Sequence, residues 1–297
     1  MKTVVVIPCY NEEKTIATVV TDFHQALPEA EIIVMDNNST DKSVALAREA
    51  GARVIEVRPQ GKGAVIQRMC VDVSADIYVI VDGDGTYSAA DAKKLVAPVA
   101  EDQVDMVVGR RRISGVSTKL MNRMGNVFFS RFLSFWSGFS LKDVLSGYRV
   151  VNRRFVENVP ILCREFEVEA EMTFQAITKG MRIVEIDTEY RQRPGGSFSK
   201  LSIWKDGYAI LVAIVNLTRD LRPLTFFSLV ALGLWAVTLF YGLFVYFSPR
   251  TANLMDVIIL ISLFVIGWMF ILIGFSLHTI NRRFDELMNL VGKKKHL

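Results

Sequence analysis

Apolar positions along this chain follow two regimes. Between Val4 and Val108, short apolar runs alternate with amphipathic stretches. Val4–Ile7 reads as a buried strand, and a helix should follow it with Ile16, Val19, Val20, Phe23 and Leu27 on one face. Ile32–Met35 is a second strand, and Asp41 stands where it would cap the next helix. Arg53–Val57, Ile77–Val81 and Met106–Val108 read as further strands separated by helical stretches. The alternation predicts a parallel α/β sheet with helices on both faces. The second regime is C-terminal. Leu224–Phe247 and Val257–Ile280 carry no charge. Each is long enough to cross a ~30 Å hydrocarbon core as a helix, and neither has the polar stripe of a buried core helix.

In an open α/β sheet, ligands bind beyond the carboxyl ends of the strands. The residues there are Pro8-Cys9-Tyr10-Asn11-Glu12, Asp36-Asn37-Asn38-Ser39-Thr40-Asp41 and Asp82-Gly83-Asp84-Gly85-Thr86. Acids thus gather along one rim. Asp82 and Asp84, one residue apart after a buried strand, can meet the same divalent cation or a metal-bound diphosphate, and hard carboxylate oxygens suit Mg²⁺ or Mn²⁺. A tight glycine-rich turn is the plainer reading. An EF-hand is excluded because its twelfth position is Lys93. A dinucleotide fingerprint fails because its third glycine is Ser88. Gly61-Lys62-Gly63 lacks Walker spacing, since Glu56 and Gly63 occupy positions that need Gly and Ser or Thr. Lys62 either sits near a phosphate or is a solvated loop lysine.

From Gly109 the character changes. Arg110, Arg111 and Arg112 run together, and Arg123–Leu141 is basic and aromatic, with Phe128, Phe129, Phe132, Phe135 and Trp136. That stretch fits an amphipathic core helix or a helix near the bilayer that grips a lipid phosphate. Tyr208–Leu217 is apolar but too short to span, which suits an interfacial segment before Pro223. Hydrophobic residues make up 51% of the 297. The opening Val4–Ile7 run ends too soon, at Pro8, for a signal peptide. Lys200, Lys205, Arg219 and Arg222 precede the first span, and Arg282, Arg283, Lys293, Lys294 and Lys295 follow the second. By the positive-inside rule both ends are cytoplasmic. Cys9, Cys70 and Cys163 form no metal spacing or disulfide framework and fit a reducing compartment. The net charge of +4, concentrated near the spans, points to anionic lipid or phosphate and not to nucleic acid.

These residues together resemble the family-2 glycosyltransferases of the GT-A fold. The matching stretches are Val6-Ile-Pro-Cys-Tyr-Asn-Glu12, Asp36-Asn-Asn-Ser-Thr-Asp41, Gly61-Lys-Gly63 and Asp82-Gly-Asp84, in the family's order. Asp143-Val-Leu-Ser-Gly-Tyr-Arg149 and Arg193-Pro-Gly-Gly-Ser-Phe-Ser-Lys-Leu201 are similar to the D-x-x-S-G-[FY]-R and R-x-x-G-x-S-K-L signatures of the polyprenyl-phosphate and dolichyl-phosphate sugar synthases. The resemblance implies a Rossmann-like GT-A catalytic domain over residues 1–200 and interfacial helices over 201–223. Two transmembrane helices within 224–280 and a basic cytoplasmic tail over 281–297 would follow. It implies that Pro8, Tyr10, Glu12, Asp36, Asn37, Lys62 and Asp82 hold the donor nucleotide, and that Asp82 and Asp84 serve diphosphate and metal. Arg123, Asn126, Ser146, Ser199 and Lys200 would face the acceptor phosphate. Asp84, Arg123, Arg149 and Arg193 would carry the catalysis, with Arg149 and Ser146 at the floor of the site. The chain departs from the pattern at Asn37, where many members have Asp, and at Thr86, where some have Gln. Its R-x-x-G-x-S-K-L loop has one extra residue. The absence of Q-x-x-R-W argues against a processive polysaccharide synthase.

The implied reaction moves a sugar from a UDP- or GDP-sugar to polyprenyl phosphate, with inversion, at the cytoplasmic face of the inner membrane. Two rivals stand beside it: a family-2 transferase with a lipid or glycan hydroxyl as acceptor, and a catalytically silent membrane scaffold. Glu167, Glu169 and Glu171 form an acidic cluster, one member of which contacts the sugar or assists as a base, unless the cluster is a solvated helix start. Glycines and aromatic residues in the spans would support helix contacts, and a homo-oligomer is one expectation.

Overall fold

Val4, Val5, Val6 and Ile7 are all fully buried, and they alternate between two cores on opposite faces of one sheet. A strand covered on both faces is apolar at every position, which is why this run lacks the period-two pattern of a half-exposed strand. The structure, a computed structural model, describes residues 1–113, 141–163, 168–193, 222–248 and 253–294, with a few positions between 212 and 220. It divides into two units, Met1–Ala209 and Ile210–Leu297.

In chain order the first unit has β1 (Thr3–Cys9), α1 (Ile16–Ala26), β2 (Glu31–Asp36), α2 (Ser43–Glu49), β3 (Arg53–Glu56), α3 (Lys62–Asp72), β4 (Ile77–Ile80) and α4 (Ala92–Ala100). After these come β5 (Met106–Ile113), β6 (Arg149–Asn152), α5 (Arg153–Asn158), α6 (Val168–Thr178) and β7 (Ile183–Tyr190). The seven strands are ordered β3-β2-β1-β4-β6-β5-β7. Buried residues of α1, α2 and α4 cover one face, and those of α3, α5 and α6 cover the other. At ~1.5–3 kcal/mol per buried large apolar side chain, these two layers supply the main force holding the sheet.

The sheet is mixed, which corrects the all-parallel expectation. β6 runs antiparallel to both β4 and β5. The chain leaves β5 at the rim and re-enters β6 at that same rim, with Arg149 opposite Ile80 and Val108, so β6 must run back. β5 also extends beyond the predicted Met106–Val108, because its pairing with β7 continues from Gly109–Ile186 to Ile113–Tyr190. The N-cap of α2 is Lys42 and not Asp41, which stands one residue earlier and accepts from the Ser43 N–H and hydroxyl. Asn152 caps α5 through Phe155 N–H.

The second unit contains α7 (Pro223–Phe247, 25 residues) and α8 (Leu254–Lys294, 41 residues). α7 and the Leu254–Phe284 part of α8 are long and apolar enough to cross a membrane, and their large side chains are mostly exposed. The helix does not stop where the sequence placed a tail: 281–294 continues α8, with Arg282 and Arg283 paired to Glu286 one turn on. The two helices meet through aromatic rings. Trp235 lies 5.8 Å from Phe264 and 5.4 Å from Trp268, and its indole N–H donates to the Phe264 carbonyl. At the turn, Tyr241 Oη donates to Asp256, whose other oxygen accepts from Asn253 N–H.

Gly267 is what admits Trp235, since a Cβ there would stand 2.2 Å from the indole nitrogen. Gly267→Ala should lower the apparent melting temperature of the detergent-solubilised protein, by an overpacking cost of about 1–3 kcal/mol. Gly242→Ala is the control. Its Cβ would meet only Leu260, at an ordinary 3.6 Å, so the better helix former should leave stability unchanged or raised.

Candidate active site

The carboxyl ends of β1, β2, β3 and β4, the start of β6 and the ends of β5 and β7 all lie on one rim of the sheet. The loops there are tied to one another. Asn11 N–H donates to Ser39 Oγ, Glu12 N–H to Ser43 Oγ, and Thr40 N–H to Asn11 Oδ1. Thr15 Oγ1 donates to the Gly83 carbonyl at 2.7 Å, which fixes the Asp82–Thr86 loop against the start of α1. The Arg191 N–H donates to the Thr86 carbonyl, and Tyr87 bridges Tyr190, so the segment after β7 runs beside that loop.

Asp82 and Asp84 are each paired with a cation supplied by another part of the chain. Lys62, the first residue of α3, bonds Asp82 on one side and Glu169 Oε1 on the other, the latter at 2.5 Å. Its side chain is only 11% exposed, so the solvated-lysine alternative is excluded. Burial alone would push the Lys62 ammonium down, but the two carboxylates outweigh it and hold it above its ordinary range. Arg193 reaches Asp84 Oδ2 at 2.5 Å. Asp84 Oδ1 accepts from the backbone N–H and the hydroxyl of Thr86. Thr86 therefore positions Asp84. In all, three carboxylates (Asp82, Asp84 and Glu169) face two cations.

Glu169 and Glu171 were expected either at the sugar or at a solvated helix start. Both are buried. Glu169 belongs to the Lys62 cluster, whereas Glu171 accepts from the backbone of Leu162 and Cys163 and from Gln175. Glu171 thus holds the segment before α6 in place. Nothing in their spacing distinguishes the two roles. The only clue is that Glu169 lies one helical turn before Thr173, a partner of Arg149.

The Asp143–Arg149 motif builds the floor. Asp143 accepts from the Arg111 backbone and, in a two-point contact, from its guanidinium. Ser146 Oγ donates to the Gly109 carbonyl at 2.5 Å. Arg149 is 1% exposed and donates to the carbonyls of Ser146 and Val144 and to Thr173. Burial pushes its guanidinium down to about 10. These bonds tie Arg149 and Ser146 to the backbone around the Asp143–Arg149 loop. Gly147 is the tightest point, because a Cβ there would stand 2.2 Å from Asp82 Oδ2 and 3.0 Å from Lys62 Nζ.

On the β1–β2 side, Asp36 is 5% exposed, and among the described residues its Oδ1 has no hydrogen-bond partner. An unpaired buried carboxylate oxygen costs free energy unless a ligand donates to it. Pro8, Tyr10 and Glu12 border the same strand end, Tyr10 at the surface. Asn37 is employed differently. Its amide N–H groups donate to the Val57 and Pro59 carbonyls, and its oxygen accepts from Gly61 N–H. It pins the loop that delivers Lys62, and an Asp here could not make the two donations. Arg123, Asn126, Glu167, Ser199 and Lys200, with the aromatic stretch before Leu141, lie outside the described residues.

The donor set fits a divalent cation. Among the described residues no three His, Cys, Asp or Glu side chains cluster as a metal cage. Two carboxylates, completed by phosphate oxygens and water, are the usual protein share of a Mg²⁺ site. Residues 4–159 match the family described as Glycosyl transferase family 2. The chain belongs to that family. Among its relatives is Glycosyltransferase AglJ of Haloferax volcanii, 34% identical over 242 residues, covering 80% of this chain and 79% of the relative. Dolichyl-phosphate hexose transferase of the same organism is 31% identical over 220 residues, covering 73% and 94%. A crystal structure of glucosyl-3-phosphoglycerate synthase from Mycobacterium tuberculosis, in complex with Mn²⁺, UDP and glucosyl-3-phosphoglycerate, superposes with a TM-score of 0.59 at 24% identity. It covers 73% of this chain and 78% of that one. The mixed sheet is thus of the GT-A type.

If Gly147 exists to admit Asp82 and Lys62, then Gly147→Ala should displace that pair while leaving the fold standing. Misplacement of a reacting group by ~1 Å can cost about 100-fold in rate. Glycosyl transfer by Gly147→Ala should fall by about that factor, with a melting temperature close to that of the parent. A variant with full activity would mean that the loop accommodates the methyl group elsewhere.

Proposed function

We propose that the chain transfers a sugar from a UDP- or GDP-sugar to a polyprenyl (undecaprenyl or dolichyl) phosphate at the cytoplasmic face of the inner membrane, with inversion. The observation that carries this reading is the rim on which Asp82 and Asp84 meet Lys62 and Arg193. Such a rim suits a nucleoside diphosphate leaving group. The two helices of membrane-crossing length and the relative named dolichyl-phosphate hexose transferase support a lipid phosphate as acceptor.

Asp36, Pro8, Tyr10 and Glu12 would hold the nucleotide, Asp36 with the oxygen that lacks a protein partner. Asp82 and Asp84 would hold Mg²⁺ or Mn²⁺, which offsets charge on the departing diphosphate. A phosphate monoester, with its second pKa near ~6, arrives largely ionised, so no side chain has to remove a proton first. The obstacle is bringing one anion against another. Arg123, Arg193 and Lys200 would answer it with positive charge, and Asn126 and Ser199 with hydrogen bonds. Ser146 and Arg149 act on this reading as positioning residues beneath Asp82. A single displacement inverts the anomeric carbon, so an α-linked donor gives a β-linked lipid phosphate sugar. Basic residues before α7 and at the end of α8 support a cytoplasmic placement of both ends of the hairpin.

The test is incubation of the purified protein with polyprenyl phosphate, Mg²⁺ or Mn²⁺, and a panel of UDP- and GDP-sugars, with products read by mass spectrometry. One donor should yield a lipid-phosphate sugar of β configuration, and Asp84→Ala should lower the rate by at least ~100-fold. Transfer only to a lipid or glycan hydroxyl would replace the acceptor. An α-linked product would refute the single displacement.

A further inference from the structure

Tyr87 closes the loop that carries Asp82 and Asp84, and it is buried. Its ring makes edge contacts with Tyr148 at 5.5 Å and Tyr190 at 5.2 Å. Its hydroxyl accepts from Gly147 N–H at 2.9 Å and lies 3.3 Å from Ser146 Oγ. Ser146 spends its own hydrogen on the Gly109 carbonyl, so at that second contact the phenol donates. One directed chain results. Gly147 N–H donates to Tyr87, Tyr87 to Ser146, and Ser146 to Gly109 in β5. Each hydroxyl gives one bond and takes one, and links in such a chain strengthen one another. Burial pushes the Tyr87 phenol far above its ordinary range, so it keeps its hydrogen.

We propose that Tyr87 is a positioning residue for Asp82: its hydroxyl holds Gly147 in place, and Gly147 sets the gap in which Asp82 and Lys62 meet. The inference rests on Asp82 lying at the donor diphosphate, as proposed above, and holds for either acceptor. Gly147 is where the backbone passes so close to Asp82 that even a methyl group would collide. The loop between Asp82 and Tyr87 contains Gly83 and Gly85, the latter at φ +73°, and therefore needs outside anchors. Thr15 supplies one at Gly83. Tyr87 supplies the other, and through Ser146 it registers the loop against β5. Without the hydroxyl, Gly147 N–H and Ser146 Oγ would each lose a partner inside the protein, and the chain would no longer fix the distance from Gly147 to Asp82. Tyr148 is a control built into the same turn. It is just as buried, but among the described residues its hydroxyl has no hydrogen-bond partner.

The experiment compares Tyr87→Phe, Tyr148→Phe, Ser146→Ala and the double variant Tyr87→Phe/Ser146→Ala in the full-length, detergent-solubilised protein. Rates are measured with the nucleotide sugar and acceptor that the parent uses and are divided by the folded fraction from circular dichroism. Amide exchange over residues 144–149 is followed by mass spectrometry. Tyr87→Phe should lower kcat about tenfold, with a donor KM within about threefold of the parent. The same variant should exchange faster at 144–149, because the Gly147 amide loses its acceptor. Tyr148→Phe loses the same kind of atom and should match the parent in both readouts. The double variant should be little slower than the slower single variant, since both cut one chain. A parental kcat in Tyr87→Phe overturns the proposal even if the melting temperature falls, because the hydroxyl then supports only the fold. Unchanged exchange at 144–149, or costs that multiply in the double variant, overturn it as well. If the parent transfers sugar to no acceptor, the function proposed above fails and this inference with it. An active parent with an unaffected Tyr87→Phe variant sinks this inference alone.

Discussion

Three carboxylates on the rim of an apolar sheet cannot coexist without compensation, and most of this architecture is arranged around that constraint. Like charges held this close raise the free energy of the folded chain unless cations are built in beside them. The compensation comes from distant segments: Lys62 from the start of α3, and Arg193 from beyond β7. Each cation needs a delivery device. Asn37 fixes the loop before Lys62 through three hydrogen bonds, and the Arg191–Thr86 bond brings Arg193 alongside. Gly147 leaves the space in which Asp82 and Lys62 meet. The D-x-x-S-G-Y-R segment can thus be understood mechanically. Its Asp anchors Arg111, its Arg ties the turn together from below, and its Gly makes room.

The two cations are unequal, and the inequality matters more than the total charge. Lys62 has two carboxylate partners and little solvent access, so removing it would leave the buried Glu169 facing the partly exposed Asp82. It is a permanent part of the fold. Arg193 pairs with Asp84, is 31% exposed, and stands at the head of the segment that resembles the family's diphosphate loop. A guanidinium suits such a rim, since its planar fork binds carboxylate and phosphate with similar geometry.

The layered α/β fold was legible because a strand buried on both faces leaves an unbroken apolar run, and Val4–Ile7, Ile32–Met35 and Ile77–Val81 each do so. β6 and β7 were not, for separate reasons. Arg149–Asn152 reads as the end of a motif, and its direction depends on where a long excursion returns to the sheet. Ile183–Tyr190 alternates apolar and acidic residues, as a partly exposed edge strand does. At the site, Asp82 and Asp84 could be found because their spacing constrains them locally. Glu169 and Lys62 are 107 residues apart, and no local pattern announces a pair made by tertiary packing. The same limit explains why Asn37, read as a nucleotide ligand in a polar loop, has its side chain turned onto the backbone of the next one.

The proposed acceptor gives the remaining features a common logic. A hydroxyl acceptor would need a base placed to take its proton. Among the described residues the acids around Asp82 are poorly suited to act as that base, because Glu169 is bound to Lys62, Asp84 to Arg193 and Thr86, and Glu171 to backbone amides. An acceptor that arrives as a phosphate needs no base, only positive charge and alignment, and those are what this rim can offer. A polyprenyl phosphate is confined to the bilayer, so α7 and α8 would turn a three-dimensional search into a two-dimensional one and raise the effective concentration of the headgroup. On the proposed function, chemistry without a base and anchoring in the membrane would have the same cause, an acceptor that is both ionised and insoluble.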